Sequence, residues 1–264
     1  MGSTALPGGT VSGVWAWLSD PKHWTGDDGV PHRLIEHLVI SGWALLIAAV
    51  VALPFAIAAG HVGRGGAVLA AIGNVGRAIP TYAVIVILAL TDQVGVGALA
   101  VVLALALFAL PPLLVNSYVA VREVDPDVKD AARGMGMTGG QMLRRVELPL
   151  AFPLAFAGFR TATVQVVATA TFGSLVGAGT LGQIIINGFS VNNYDQMYAG
   201  VVVVAVVCLA CDGGLAVVQR LVGRRWGQSA RRPAGLRGRR GPGGSPPAGL
   251  AAAEALATLP AGAR

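Results

Sequence analysis

Five long runs of apolar residues constrain this chain more than any other feature of its sequence. About 20 apolar residues cross the hydrocarbon core of a bilayer as a helix, so each run predicts a transmembrane helix. Asn74, Arg77 and Pro80 interrupt the first half of the second run. The runs cover about residues 38–59, 67–90, 95–118, 153–178 and 198–219. The sequence therefore predicts an all-α integral membrane protein with five transmembrane helices.

The composition excludes the other broad classes of protein. Of the 264 residues, 54% are hydrophobic and only 12% are charged, whereas a soluble domain carries about 25% charged residues. The same values exclude a disordered chain, and two cysteines are too few for a disulfide scaffold. The net charge of +6 does not indicate a nucleic-acid partner, because the basic residues avoid the apolar runs and concentrate in a few loops.

The distribution of Lys and Arg predicts how the chain is oriented. Basic residues are abundant in the connection 119–150 and after Leu221, whereas the loops around Asp92 and 180–197 contain none. By the positive-inside rule, the N-terminus lies outside and the C-terminus lies in the cytoplasm. The first apolar run is too long for a signal-peptide core, so we expect it to stay as a transmembrane helix. A chain so rich in Arg, Ala and Gly points to a bacterium, and its location would be the plasma membrane.

Three segments follow from this topology. Residues 1–37 form an extracytoplasmic segment, 38–221 a transmembrane domain, and 222–264 a basic cytoplasmic tail that is predicted to be disordered. The tail arginines are expected to meet anionic headgroups of the membrane lipid. Tryptophans in the first segment are typical of interfacial anchors: Trp15, Trp17 and Trp24.

Several motifs with catalytic or ligand-binding associations lack the surroundings that such sites need. Two G-x-G-x-x-G matches, at 134–139 and 177–182, have no strand before them and no soluble βαβ unit. Cys208 and Cys211 lie in an apolar run without a histidine nearby, and we interpret them as small packing residues. No arrangement of histidines or carboxylates indicates a metal site or a catalytic site. The chain is therefore not expected to be an enzyme.

The connection from 121 to 149 is unusually long for a loop between membrane helices. Asp125 and Pro126 predict a helix start, as N-cap and first residue. A second short helix is expected over 141–146, and Pro149 would start the next span. Glycines are expected to break the chain between the two helices: Gly134, Gly136, Gly139 and Gly140. A helix–glycine–helix elbow of this kind is shaped to dock into a partner.

This elbow also carries a family resemblance. The spacing Asp130-Ala131-Ala132-x3-Gly136-x9-Val146-x-Leu148-Pro149 resembles the EAA signature of ABC-importer permeases, E-A-A-x3-G-x9-I-x-L-P, with Asp for Glu and Val for Ile. The resemblance implies the type I ABC importer permease fold (MetI-like), with a coupling helix in a groove of the ATP-binding cassette subunit. ATP and Mg would be bound by that partner subunit, and this chain would hold no cofactor. The coupling residues implied are Asp130, Ala131, Ala132, Gly134, Gly136, Val146, Leu148 and Pro149.

The resemblance extends over roughly residues 34–220. Segments such as Gly158-Phe-Arg-Thr-Ala-Thr-Val and Leu175-Val-Gly-Ala-Gly-x-Leu-Gly are similar to permeases of glycine betaine, carnitine and choline importers. This implies import of a quaternary-ammonium osmoprotectant, with an extracytoplasmic substrate-binding protein and a second permease copy or paralogue as partners. Another small solute, such as methionine, is the alternative, and a membrane scaffold without transport ranks below it. Thr180 and Phe172-Gly173-Ser174 depart from that family's usual residues.

Polar residues inside the predicted spans leave two interpretations open. Thr161, Gln165 and Thr169 fall on one helical stripe, which would either line a translocation pathway or form interhelical hydrogen bonds. Arg160 and Asp212 both lie about 10 Å inside the cytoplasmic boundary, if each residue adds about 1.5 Å. They would either pair with one another, or Arg160 would extend its side chain to the headgroups. Three phenylalanines near Arg160 favour core packing over a cation cage: Phe152, Phe156 and Phe159.

Overall fold

The computed structural model describes residues 11–225, and every regular element in that range is a helix. The predicted basic tail lies beyond residue 225 almost entirely, outside the described residues. The α-helices and short helical turns follow one another along the chain as α1 (Val11–Ser19), a 3₁₀ turn (Pro21–Trp24), α2 (Val30–Val62), α3 (Gly66–Ala78), α4 (Thr81–Ala89), α5 (Ala98–Arg122), α6 (Pro126–Gly134), α7 (Gly139–Met142), a π turn (Leu143–Glu147), α8 (Leu148–Thr169), a 3₁₀ turn (Ala170–Val176), α9 (Gly182–Ser190) and α10 (Tyr194–Arg225).

Four helical runs in the described part of the chain are long and apolar enough to cross a membrane. They are Val30–Val62, Ala98–Arg122, Gly139–Val176 and Tyr194–Gly223. The first, third, fourth and fifth apolar runs are therefore helices, as predicted. Their helices extend beyond the apolar stretch, and α2 begins at Val30 rather than at residue 38 because Gly29 caps it and a proline stands in its first turn. The last eight residues of the predicted N-terminal segment thus belong to the first long helix.

The second apolar run differs from the expectation of one straight helix. It forms α3 and α4, which are bent by 78° relative to one another, so the chain has a fifth span only if this pair is counted as one. Ile79 has an extended ψ of 121°, and Pro80 caps the next helix. A proline disfavours the helical conformation in the residue before it, which explains the break at this position.

The connection between α5 and α8 contains two corrections. Helix α6 starts as predicted, with the Asp125 side chain accepting the Asp127 N–H. Gly139 and Gly140 do not break the chain; they lie in the first turn of α7, where Thr138 and Gln141 form a reciprocal capping box. The predicted short helix also does not end at 146, since α7 continues through the π turn into α8.

The π turn has a physical cause in the residue that follows it. Pro149 has no N–H to donate to the carbonyl of Arg145, and its ring would clash with that carbonyl in a regular α-helix. In the structure, the Leu148 N–H bonds to the Leu143 carbonyl, five residues back. One wider turn therefore lets the helix continue past the proline that was expected to start it.

The core lies where α2, α5 and α8 pack against one another. Most of its buried residues are alanines, which allow the three helices to approach closely. Helix α10 packs against α8 and α9, and α1 packs against α10. The alanines of this core are Ala44, Ala48, Ala52, Ala104, Ala106, Ala109, Ala162, Ala170 and Ala178. We call the end of the bundle that carries α6 and α7 the elbow end, and the end that carries residues 170–182 the far end.

Candidate functional site

Helix α6 presents the first part of the EAA-like signature on its exposed face. Asp130 and Ala131 are exposed, whereas Ala132 is buried against the bundle. Two apolar side chains extend the exposed face, with Val128 39% and Met135 71% exposed. The helix therefore offers a mixed surface, with apolar side chains beside two carboxylates, Asp127 and Asp130, the second of which is paired at 2.8 Å with the exposed Arg133.

The turn after α6 requires glycine at one position. Gly136 has a φ of +79°, in the left-handed region that L side chains rarely adopt. Its N–H bonds to the Arg133 carbonyl at 2.9 Å, which closes the end of the helix. A Cβ at Gly136 would meet no atom of this chain within 4 Å, so within the chain the constraint is the backbone conformation. Gly134, the last residue of α6, is exposed and free of such strain.

The second part of the signature builds the start of the membrane helix. Val146, Leu148 and Pro149 are half-buried and lie in the π turn or just after it. Leu148 lines a cavity of about 380 Å³ together with Phe152 and Phe156. The rings of Phe152, Phe156 and Phe159 stand at successive centroid distances of 5.2 and 5.8 Å. These aromatic side chains lie between α8 and the neighbouring helices, in a position of core packing.

A buried polar cluster beneath α6 was missed by the sequence reasoning. The Glu147 side chain is 1% exposed, and its Oε2 lies 2.6 Å from His61 Nδ1. Lys129 Nζ lies 3.7 Å from Glu147 Oε1 and donates to the carbonyls of Val121 (3.1 Å) and Arg122 (3.4 Å). His61 and Glu147 flank apolar runs, and Lys129 lies in the connection between two of them, so only their convergence in space distinguishes them.

The predicted stripe on α8 is divided by the structure. Thr161 and Gln165 are exposed on one face, whereas Thr169 is half-buried. The Thr161 hydroxyl donates to the Ala157 carbonyl within its own helix. Gln165 makes no side-chain hydrogen bond within the described part of the chain. Phe172, in the 3₁₀ turn after α8, is 46% exposed. The face that carries Thr161 and Gln165 is thus not covered by any described helix.

Arg160 and Asp212 meet between α8 and α10. The guanidinium donates from Nη2 to both carboxylate oxygens at 2.8 Å, and from Nε to Oδ1 at 3.0 Å. Its Nη1 donates to Gln219 Oε1 at 3.1 Å, and Gln219 Nε2 donates to the Pro153 carbonyl at 2.8 Å. The structure therefore places the two charges as a pair. Gln219, which the sequence reasoning did not single out, completes the network.

Neutral groups make the hydrogen bonds around the turn at the far end. His37 is fully buried; its Nε2 donates to the Val167 carbonyl at 2.8 Å, and its Nδ1 accepts the Leu181 N–H at 3.4 Å. One donor and one acceptor nitrogen define the neutral imidazole. Ser174 and Thr180, both departures from the resembled family, lie with their hydroxyl oxygens 2.6 Å apart. The two residues therefore hydrogen-bond to one another within the turn.

Within residues 11–225, no group of three or more His, Cys, Asp or Glu side chains is arranged to hold a metal ion. Cys208 and Cys211 are half-buried on α10 and unbridged.

The fold and these sites define a multi-pass helical membrane protein with an exposed helical elbow at one end. Residues 51–227 match the family model described as "Binding-protein-dependent transport system inner membrane component". The chain belongs to this family of transport permeases.

Individual relatives and solved structures agree with this assignment. The chain is 32% identical over 187 residues to the glycine betaine/carnitine/choline transport system permease protein OpuCB of Bacillus subtilis, covering 71% of this chain and 85% of the relative. It is 35% identical over 197 residues to the carnitine transport permease protein OpuCD of Listeria monocytogenes, covering 74% and 87%. Its fold is similar to a chain of the MetNI methionine ABC transporter in an inward-facing conformation, with a TM-score of 0.66, 24% identity, and coverage of 77% and 99%. The predicted fold class is thereby confirmed.

Proposed function

We propose that this chain is the permease subunit of an ATP-driven importer for a quaternary-ammonium osmoprotectant. The relatives that cover most of the chain transport glycine betaine, carnitine or choline by name. A separate ATP-binding cassette subunit would bind ATP and Mg, and an extracytoplasmic binding protein would deliver the solute. The observation that carries the proposal is the exposed face of α6, which projects from the bundle at the end of three long helices.

The geometry of α6 supports its role as the coupling helix. Val128 and Met135 are exposed apolar side chains beside the exposed Asp130 and Ala131, and apolar side chains in such a position are available for a partner. Ala132 is buried against the bundle, so the helix has one face for the bundle and one for a partner. A groove of the ATP-binding subunit would take the second face. The later part of the signature would not touch the partner. It would form the start of α8 beneath the elbow, through Val146, Leu148 and Pro149.

The uncovered face of α8 supports a pathway between two permeases. A polar amide facing the hydrocarbon interior is costly, so intramembrane polar groups usually face protein or water. Gln165 and Thr161 lie on such a face without a covering helix. We infer that a second copy of this chain or a paralogue stands opposite, and that the stripe lines the path of a small zwitterionic or cationic solute between them.

The decisive experiment is reconstitution with the binding protein and the ATP-binding subunit of the proposed importer. ATP hydrolysis and solute uptake into liposomes are measured with glycine betaine, carnitine and choline, and with methionine as the competing solute. We expect uptake that depends on ATP and on at least one quaternary ammonium compound. Uptake of methionine alone would overturn the substrate class, and absence of any ATP-dependent uptake would overturn the importer.

A single substitution tests the coupling role within that system. Gly136→Leu should abolish uptake while the protein stays in the membrane, because the leucine is strained at a φ of +79° and would obstruct close docking. Gly140→Ala is the control, since a Cβ there meets nothing within 4 Å and the residue is helical. Normal uptake by the leucine variant with the ATPase bound would show that the elbow does not couple.

The orientation is tested by labelling single cysteines from outside the cell. In a background without Cys208 and Cys211, Thr91→Cys should react with an impermeant reagent and Ser229→Cys should not. The reverse pattern would place the N-terminus in the cytoplasm and the elbow outside.

A further inference from the structure

The strongest unassigned feature is the buried cluster of Lys129, Glu147 and His61. Glu147 is the most deeply buried of the acidic residues in the described part of the chain, at 1% exposure. A carboxylate excluded from water is stable only with partners that satisfy its oxygens. Oε2 lies 2.6 Å from His61 Nδ1, and Oε1 faces Lys129 Nζ at 3.7 Å, within ion-pair range but beyond a hydrogen bond.

The partners of this carboxylate come from different elements. His61 lies in the last turn of α2, Glu147 in the π turn that leads into α8, and Lys129 in the middle of α6. Lys129 also donates to the carbonyls of Val121 and Arg122, in the last turn of α5. Those carbonyls form the negative end of the helix dipole, where a cation is favoured. One cluster thus connects the coupling helix to the ends of three long helices.

Lys129 lies between the exposed residues of the signature and the rest of the bundle. Lys129 immediately precedes Asp130 and Ala131, the exposed residues of the signature, and it points to the opposite side of the helix. A force applied to the exposed face is therefore borne on the other side by Lys129 and by the small apolar contact of Ala132. Without the charged link, α6 would rest on the bundle through few large side chains.

We propose that Lys129, Glu147 and His61 are positioning residues that make the coupling helix and the ends of α2, α5 and α8 move as one body. This inference rests on the proposed function, because it assigns the means by which movement of the ATPase reaches the membrane helices. The cluster does not touch the solute or the nucleotide. It sets how much of each ATP-driven displacement arrives at the spans.

The first test separates coupling from folding. Glu147→Gln keeps the size of the side chain and removes its charge; Glu123→Gln is the matched control, an exposed carboxylate in the same connection. In liposomes with the ATPase and the binding protein, we expect the glutamine at 147 to lower the solute imported per ATP by about fivefold, with the control unchanged. A wild-type ratio in Glu147→Gln would overturn the proposal.

A double variant covers the case in which Glu147→Gln assembles poorly. Lys129→Met with Glu147→Leu removes both charges, so no buried charge is left without a partner. If the ion pair were purely structural, this double variant would recover both the amount of protein in the membrane and the solute imported per ATP. We expect recovery of the level alone, and recovery of both would overturn the proposal.

A distance measurement tests the same idea without disturbing the cluster. Spin labels at Val62→Cys and Asp127→Cys, both exposed, report the separation of α2 and α6 in a background without Cys208 and Cys211. We expect the same distance in the nucleotide-free and ATP-bound complex, and a different one in Glu147→Gln. A change in the otherwise unmodified complex of more than about 5 Å, one helical turn, would overturn the proposal. Wild-type uptake is measured in parallel, and its absence would count against the proposed function instead.

Discussion

The two ends of the helical run from Gly139 to Val176 are held in different ways. Near the elbow end, the contacts involve charged side chains: Lys129 faces Glu147, whose other oxygen meets His61, and further along Arg160 pairs with Asp212. At the far end, the turn from 170 to 182 contains no charged residue, and its own hydrogen bonds are made by hydroxyl groups and a neutral imidazole. The Arg33–Glu36 ion pair of α2 lies against Gly179 of this turn. The elbow end is therefore sensitive to loss of charge, and the far end to added volume or a lost hydrogen bond.

The largest effect is expected from breaking the Arg160–Asp212 pair. Arg160→Ala or Asp212→Ala leaves one charge without its ion-pair partner inside a predicted span, where an unpaired charge is costly. Each single variant should show a much lower membrane level and a lower melting temperature of the purified protein. The double variant should be closer to wild type than either. An equal loss of protein from the membrane in all three variants would show that this contact near the elbow end depends on packing rather than on charge.

At the far end, the next largest effect should come from one added carbon. A Cβ at Gly182 would overlap the carbonyl oxygen of Thr171, and backbone yields less readily than a side chain. We expect Gly182→Ala to destabilise the protein by about 3 kcal/mol, the upper part of the range for overpacking. Gly213→Ala, where a Cβ meets nothing within 4 Å, is the control. Thermal unfolding in detergent measures both, and equal melting temperatures would contradict the close packing of the turn.

Replacing the buried imidazole should have a smaller effect. His37→Leu removes both the bond to the Val167 carbonyl and the bond from the Leu181 N–H, and leaves two backbone groups without partners. The expected cost is about 2 kcal/mol. His37→Gln, which keeps a donor and an acceptor, should recover part of it. If leucine were as stable as histidine, neutral hydrogen bonds would not hold the far end.

The smallest expected effect concerns the cap of α7. Thr138→Ala removes the side-chain acceptor for the Gln141 N–H and should cost about 1 kcal/mol, whereas Thr138→Ser should keep the bond. Hydrogen exchange of the amides at 139–141 measures the local loss. An unchanged exchange rate in the alanine variant would show that the charged contacts alone fix the start of the run.

The sequence determined the fold class because apolar runs and turn chemistry act locally. The long helices, the Asp125 cap and the start of α6 could all be predicted from residues near one another in the chain. Two prolines are local signals with different outcomes: Pro80 stands at a break between two helices, whereas a π turn lets the helix continue past Pro149. One feature could not be predicted from local patterns. The cluster around Glu147 joins residues 86 positions apart, and single charges beside apolar runs carry no sign of such a contact.

The candidate site shows the same division. The EAA-like spacing predicted the position of the elbow. The similar depth of Arg160 and Asp212 in the membrane allowed either a pair or an arginine that extends to the headgroups, and the structure has the pair. Thr169 is rotated by about 80° from Thr161 within α8, because each step of four residues advances the side chain by about 40° beyond a full turn, so the spacing overstated the stripe. The roles of the elbow, the stripe and the charge pair stay predictions until the experiments above are done.

The π turn before Pro149 also acts as a rotational offset between the two ends of the run. Each residue of an α-helix advances the side-chain direction by about 100°, since a turn takes about 3.6 residues. The extra residue accommodated between Leu143 and Glu147 therefore rotates everything after it by about that angle relative to the elbow. Deleting one residue there would keep the length of the apolar segment and aim Gln165 at a different neighbour. The azimuth of the uncovered face of α8 is thus set by a turn that lies before that helix begins.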